Sequence, residues 1–208
     1  MASETTTCIL VRHGHVEGID PPRFRGRAEL ALTELGEHQA AALRDRIARE
    51  WSPVAVYASP LGRCMDTGTI IGRARDLAPQ PMEGFLDIDY GQWQGLTHEE
   101  VHVRWPEAWA RWRNMPQTAE IPGGETLQEL AARSVRALHD VLNRHRGETV
   151  VVVAHDSVNR VVLLHALDLP LQRYRSILQV PCALNVLRFT DRRFTIGTIN
   201  ETGHLPAK

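Results

Sequence analysis

Cysteine is scarce in this sequence, and its three cysteines form no recognisable pattern. Cys8, Cys64 and Cys182 are far apart, and the sequence has neither a CxxC pair nor an even-numbered disulfide framework. A zinc site built from cysteine pairs is therefore not indicated. This usage is typical of a reduced protein, and we expect a cytoplasmic location.

Long apolar runs and an excess of one charge are also missing. No segment approaches the roughly 20 apolar residues that cross a bilayer, and Met1–Thr5 lack the basic start of a secretion signal. We therefore expect no membrane partner. The 24 basic and 25 acidic residues give a formal net charge of −1. General nucleic-acid binders carry a basic excess, so we expect no nucleic-acid partner.

The composition that remains is that of a globular α/β protein. Apolar residues make up 43% and charged residues 24% of the 208 residues, which can bury a substantial core. We interpret residues 1–208 as a single domain. Strand-like and helix-like patterns alternate along the chain. This order predicts a three-layer α/β/α fold with a mostly parallel central sheet and helices on both faces.

Apolar runs and capping residues predict where several elements lie. The buried strands are expected near Cys8–Val11, Pro53–Ala58, Thr149–Ala154, Leu184–Phe189 and Phe194–Ile199. Helices are expected over Glu34–Glu50, capped by Thr33; from the Thr126–Glu129 capping box to about Arg144; and over Ser157–Leu167. Ser59 and Pro60 predict a further helix start, with Ser59 as the cap and Pro60 in the first position.

The middle of the chain is rich in tryptophan. Trp105, Trp109 and Trp112 have helical spacing, which is more typical of a packed helix face than of a ligand platform. We interpret about 95–124 as a cap-like insertion over the carboxyl edge of the sheet.

Basic and titratable side chains follow three of the predicted strands. Arg12 and His13 end the first strand, Arg63 comes just after the second, and His155 follows the strand at Thr149–Ala154. Because parallel strands share a carboxyl edge, we expect these four side chains to lie close together. They would repel one another unless an anion lay between them, and arginine binds phosphate through paired N–H donors. The pattern predicts a phosphate site with His13 as nucleophile.

These motifs resemble those of the histidine phosphatase superfamily, also known as phosphoglycerate-mutase-like proteins. The resemblance spans about residues 8–205 and rests on Arg12-His13-Gly14, Ser59-Pro60-Leu61-Gly62-Arg63 and Val153-Ala154-His155. It implies that His13 attacks a small phosphomonoester and becomes a phosphohistidine. Arg12, Arg63 and His155 would bind the substrate and stabilise its equatorial oxygens. The resemblance implies no metal and no cofactor.

The proton donor is where the sequence departs from the family. The family has a glutamate in a Leu-x-Glu-x-x-Phe/Tyr-Gly pattern, and Asp87 replaces it in this sequence. We expect Asp87 to protonate the leaving alkoxide and its carboxylate then to activate water. Two alternatives stay open: Glu83, upstream on the same segment, and Asp156, where the phytase-like branch has an aspartate acid.

The loop after the first strand departs from the family as well. Ile19 replaces a common asparagine that touches the phosphate, and Val16 replaces the usual threonine. Either the pocket has fewer neutral donors, or Arg25 contributes to substrate binding. The alternative for Arg25 is a solvated loop position.

The sequence also contains features relevant to functions other than a phosphatase. His98-Glu99-Glu100-Val101-His102 matches the H-E-x-x-H pattern of a zinc hydrolase, but its flanks allow only a short helix and no third ligand is evident. A cofactor-dependent phosphoglycerate mutase usually has a longer, more basic middle insertion. A non-enzymatic phosphate-binding scaffold would not need the complete set of motifs. We therefore expect a phosphatase of a small phosphorylated molecule, with the substrate and a homodimer left open.

Overall fold

A computed structural model describes residues 4–19 and 21–205. The strands are β1 (Thr6–Arg12), β2 (Ala55–Ala58), β3 (Pro79–Pro81), β4 (Thr149–Ala154), β5 (Leu184–Thr190) and β6 (Arg193–Glu201). The α-helices are α1 (Glu34–Glu50), α2 (Gly62–Gly72), α3 (His98–Arg104), α4 (Pro106–Asn114), α5 (Leu127–Arg144) and α6 (Asp156–Ala166). Most predicted elements are confirmed to within a few residues.

The strands form one six-stranded sheet in the order β3-β2-β4-β1-β5-β6. The first four of these pair in parallel, β5 is antiparallel to β1, and β6 is antiparallel to β5. Only β5 therefore runs against the others, which confirms the mostly parallel sheet. Arg12 lies opposite Ala154 at the ends of β1 and β4. This register brings the next residues, His13 and His155, to the same edge.

The sheet separates two apolar cores. Alternate residues of β1 point to opposite faces, so that Leu10 packs in one core and Ile9 in the other. The first core contains α5 and α6, including the fully buried Leu138, and the second contains α1 and α2, including the fully buried Leu43. Each such leucine contributes about 1.5–3 kcal/mol relative to exposure. The three-layer α/β/α fold is confirmed.

Threonine side chains cap the N-termini of α1, α3 and α5. Thr33 Oγ1 accepts from the Gly36 amide at 3.2 Å, and Thr126 forms the expected capping box with Glu129. The predicted helix start at Ser59 and Pro60 is wrong, because α2 begins at Gly62. The buried Ser59 hydroxyl bonds the ring of His155 at 2.8 Å and accepts from the Leu61 amide at 3.5 Å.

The segment 95–124 contains α3 and α4 and contributes to the wall of a cavity that Arg12 also lines. Trp112 is buried and packs against the ring of the buried Trp93, with 6.2 Å between ring centroids. Trp109 is half-buried and lines the cavity. The tryptophans thus serve both packing and the cavity wall. Within residues 4–19 and 21–205, no helix has the length and apolar character needed to cross a membrane.

Candidate active site

His13 is buried at the carboxyl end of β1 with one ring nitrogen already bonded. Its Nδ1 lies 2.7 Å from the carbonyl oxygen of Gly14. Because a carbonyl oxygen can only accept, Nδ1 must carry the hydrogen, and Nε2 of the neutral ring keeps its lone pair. Burial, followed by the charges of His155 and Arg12, lowers the pKa of His13 well below its usual value. The ring is therefore neutral at pH 7, as a nucleophile requires.

Close backbone packing explains the glycine after His13. A Cβ atom on Gly14 would lie 2.5 Å from the carbonyl oxygen of Gly36, closer than any side chain tolerates. Gly14 also donates its amide to Thr67 Oγ1 at 3.1 Å. These contacts fix the backbone that positions His13.

His155 lies beside His13 at the end of β4. The ring centroids are 5.3 Å apart and the ring planes make an angle of 62°. His155 Nε2 lies 2.8 Å from Ser59 Oγ, and Nδ1 lies 3.7 Å from Asp87 Oδ2. Burial, and then the charges of Arg63 and Arg12, lower the pKa of His155 well below its usual value. Both imidazoles are therefore neutral at pH 7.

The two arginines of the motif are held by backbone carbonyl groups. Arg12 Nη1 donates to Gln179 O at 2.6 Å, and Arg63 donates to Ala28 O and Gly26 O, both at 2.7 Å. The Nε atoms of both arginines are buried without a partner among the described residues. Unsatisfied buried donors are costly, so this arrangement favours an anion that accepts from them.

Asp87 enters the site with two oxygens in different surroundings. Oδ1 accepts from the Ile88 amide at 2.9 Å and from Ser157 Oγ. Oδ2 lies 3.3 Å from Arg63 Nη2 and faces His155. The side chain is only 11% exposed. Both oxygens of Asp87 therefore accept hydrogen bonds, Oδ1 from two neutral donors and Oδ2 from the Arg63 guanidinium.

The two alternative acids, Glu83 and Asp156, lie in different surroundings. Glu83 lies exposed in a 3₁₀ turn, Glu83–Phe85. Asp156 lines the cavity, and its Oδ1 lies 2.9 Å from Arg160 Nε. Of the three carboxylates considered, Asp87 alone contacts both Arg63 and His155.

Arg12 lines a strongly cationic cavity of about 1070 Å³, and the other site residues, His13, Arg63, Asp87 and His155, are not among its lining residues. Its arginines are Arg12, Arg23, Arg25, Arg113, Arg160 and Arg175. Among the described residues that line it, Asp156 is the only carboxylate. Ile19 and Arg25 both line the wall, and Arg25 Nη1 donates to Gly18 O at 2.6 Å. Arg25 therefore lies near the site, whereas Val16 is buried.

The H-E-x-x-H segment has a structural explanation. Glu100 and Thr97 form the capping box of the seven-residue α3. His98 packs against the rings of Phe24 and Trp109, at centroid distances of 4.9 and 5.3 Å. Across residues 4–19 and 21–205, no group of three or more histidine, cysteine, aspartate or glutamate side chains is arranged to hold a metal ion.

Three contacts in this site lie beyond what the sequence patterns indicate. Ser59 and Ser157 are assigned from sequence only to helix starts, yet they bond His155 and Asp87. The third, the backbone oxygen of Gln179, holds Arg12. Their partners are 96, 70 and 167 residues away in sequence. The one local indication of these roles is that each serine lies within three residues of the end of a strand, Ser59 after β2 and Ser157 after β4.

The sequence of residues 8–202 matches the family model of the histidine phosphatase superfamily (branch 1). The chain belongs to the histidine phosphatase superfamily. It is 34% identical to the metal-independent phosphoserine phosphatase of Arabidopsis thaliana, over 98% of this chain and 84% of that protein. Phosphoserine phosphatase 1 of Hydrogenobacter thermophilus is also 34% identical, over 95% of this chain and 93% of that protein.

A solved structure supports the same family. Bacillus stearothermophilus YhfR superposes with a TM-score of 0.91 at 26% identity, covering 97% of this chain and all of that chain. The family model and the two relatives show that this histidine phosphatase is a phosphoric monoester hydrolase. The predicted family, fold and phosphatase activity are confirmed.

Proposed function

We propose that this histidine phosphatase hydrolyses O-phosphoserine, with His13 as nucleophile and Asp87 as proton donor. The observation that carries the proposal is the free Nε2 of a neutral His13, fixed by the bond from Nδ1 to Gly14 O at 2.7 Å. The choice of phosphoserine rests on the two relatives at 34% identity, both of which are named phosphoserine phosphatases.

In the first step, the lone pair of His13 Nε2 forms a bond to phosphorus while the bond to the serine oxygen breaks. The protonated Asp87 carboxyl gives its proton to the leaving alkoxide, which departs as serine. Arg12, Arg63 and His155 stabilise the equatorial oxygens, which is mainly positioning and electrostatics. The buried Nε atoms of the two arginines are available donors for this purpose.

In the second step, water attacks the phosphohistidine. The Asp87 carboxylate takes a proton from that water, an oxygen–phosphorus bond forms, and the nitrogen–phosphorus bond breaks. Inorganic phosphate leaves, and both His13 and the Asp87 acid return to their starting states. Arg25, at the cavity wall, is proposed to contribute to substrate binding.

A panel of phosphomonoesters tests this function. The purified protein is expected to release inorganic phosphate from phosphoserine, at a rate that does not change in the presence of a chelator. The same protein is incubated in parallel with 3-phosphoglycerate and a bisphosphoglycerate primer. Conversion to 2-phosphoglycerate without release of phosphate would instead identify a mutase.

Ser157 is predicted to position the proton donor. In Ser157→Ala, Asp87 Oδ1 loses one of its two donors, so the carboxyl group is less well oriented toward the leaving oxygen. We expect kcat/KM for phosphoserine to fall about 10-fold, because small displacements of a reacting group are costly. The value for p-nitrophenyl phosphate should hardly change, since its leaving phenolate needs no acid.

Ser157→Thr keeps the hydroxyl group and serves as the matched variant, with activity on phosphoserine retained. An equal loss on both substrates would mean that Ser157 only maintains the fold.

The homodimer, the cytoplasmic location and the single-domain organisation remain predictions.

A further inference from the structure

Asp156 is an unexpected side chain for a phosphate-binding cavity. Six arginines line the cavity, and Asp156 is the one carboxylate among its described lining residues. It is the first residue of α6 and directly follows His155, at the edge where the phosphate is proposed to bind. A carboxylate in this place repels a phosphate dianion, so it opposes binding of the reacting group itself.

The charge of Asp156 also affects Arg12. Burial lowers the pKa of Arg12, and the charge of Asp156 is the largest electrostatic effect that opposes the shift. Asp156 therefore acts on the arginine proposed to hold the phosphate. One of its oxygens is bonded to Arg160 at 2.9 Å, and the side chain remains 31% exposed. The carboxylate can thus accept a second cationic partner from the cavity.

We propose that Asp156 binds the α-ammonium group of an amino-acid phosphomonoester. The inference rests on the proposed phosphoserine phosphatase activity and assigns to that activity a residue that discriminates between substrates. Phosphoserine carries two anionic groups and one cationic group. The cavity offers several arginines and one carboxylate, which is the complementary set.

Two other roles would also explain the residue. Asp156 and Arg160 are four residues apart on α6, and such pairs near a helix N-terminus stabilise helices. Asp156 is also the alternative proton donor. The three roles predict different patterns across substrates, so that a single variant distinguishes them.

The experiment measures kcat/KM of Asp156→Asn on four substrates. Phosphoserine and phosphoethanolamine carry an ammonium group. Racemic 3-phosphoglycerate has a hydroxyl group in place of the ammonium group of phosphoserine. p-Nitrophenyl phosphate has neither an ammonium nor a hydroxyl group. We expect a fall of about 10–100-fold for the two ammonium substrates, the range of a hydrogen bond to a charged group. The other two should change less than threefold.

The control variant is Asp140→Asn, which removes an exposed carboxylate on α5 and should leave all four values unchanged. A loss on all three alkyl phosphates with the aryl phosphate spared would make Asp156 the proton donor and overturn the inference. An equal loss on all four substrates, with a lower melting temperature, would mean that Asp156 only stabilises α6 through its ion pair with Arg160, and would overturn the inference. No change on any substrate would overturn it as well.

Failure of the proposed function has a different signature. In that case, the unmodified protein would not hydrolyse phosphoserine although it hydrolyses p-nitrophenyl phosphate. If the unmodified protein turns over phosphoserine and Asp156→Asn does so equally well, only the ammonium site is overturned.

Discussion

Replacing His13 with asparagine is expected to abolish phosphate release from every phosphomonoester, with kcat lowered by about 10⁴–10⁶-fold, the scale seen when a nucleophile is removed. Asparagine keeps an N–H group near the Gly14 carbonyl but has no basic nitrogen in place of Nε2. The phosphohistidine therefore cannot form. The binding arginines remain, so inorganic phosphate should still bind to the variant.

The measurement is a quenched reaction with ³²P-labelled phosphoserine. The unmodified protein should carry label that is stable in alkali and lost in acid, as expected for a phosphorus–nitrogen bond. His13→Asn should carry none, and the exposed His38→Asn on α1 should label normally. If the label persists in His13→Asn and disappears in His155→Asn, the nucleophile has been assigned to the wrong histidine.

Asp87→Asn is expected to separate substrates by their leaving groups. An alkoxide needs a proton as it departs, whereas p-nitrophenolate hardly does. We therefore expect kcat/KM for phosphoserine to fall by about 10²–10⁴-fold, the usual contribution of a general acid. For p-nitrophenyl phosphate, kcat/KM should be almost unchanged, because this ratio reports only the steps up to release of the alcohol.

The value of kcat for the aryl phosphate then reports the second step. If Asp87 also activates water, labelled phosphohistidine should accumulate in Asp87→Asn during turnover of p-nitrophenyl phosphate. The exposed Glu83→Gln is the comparison and should behave like the unmodified protein. Undiminished hydrolysis of phosphoserine by Asp87→Asn would show that another group supplies the proton.

The parts of this protein that could be predicted from sequence are those that depend on local chemistry or on strand order. Thr33 caps α1 through an amide three residues away. Arg12 ends β1 and His155 follows β4, and the register of these neighbouring parallel strands brings the two residues together. The cap lies within one short sequence pattern, and the second case needs only the general rule that parallel strands end at the same edge of a sheet.

The parts that could not be predicted depend on partners distant in sequence. Ser59 has the local pattern of a helix cap, but α2 begins at Gly62, and the Ser59 hydroxyl bonds His155, which is 96 residues away. The resemblance indicates Asp87 as the acid. It does not indicate that Ser157, 70 residues away, occupies one of its two oxygens. Such bonds follow only from the packed fold.

The segregation of charge in this molecule affects how it captures its substrate. The whole chain has a formal net charge of −1, yet six arginines surround one cavity. At a distance, an approaching anion meets a nearly neutral particle. The attraction begins only near the cavity mouth, within the Debye length of about 8 Å at physiological ionic strength. Added salt should therefore slow association of small phosphomonoesters with the cavity, while it hardly alters the chemical steps inside.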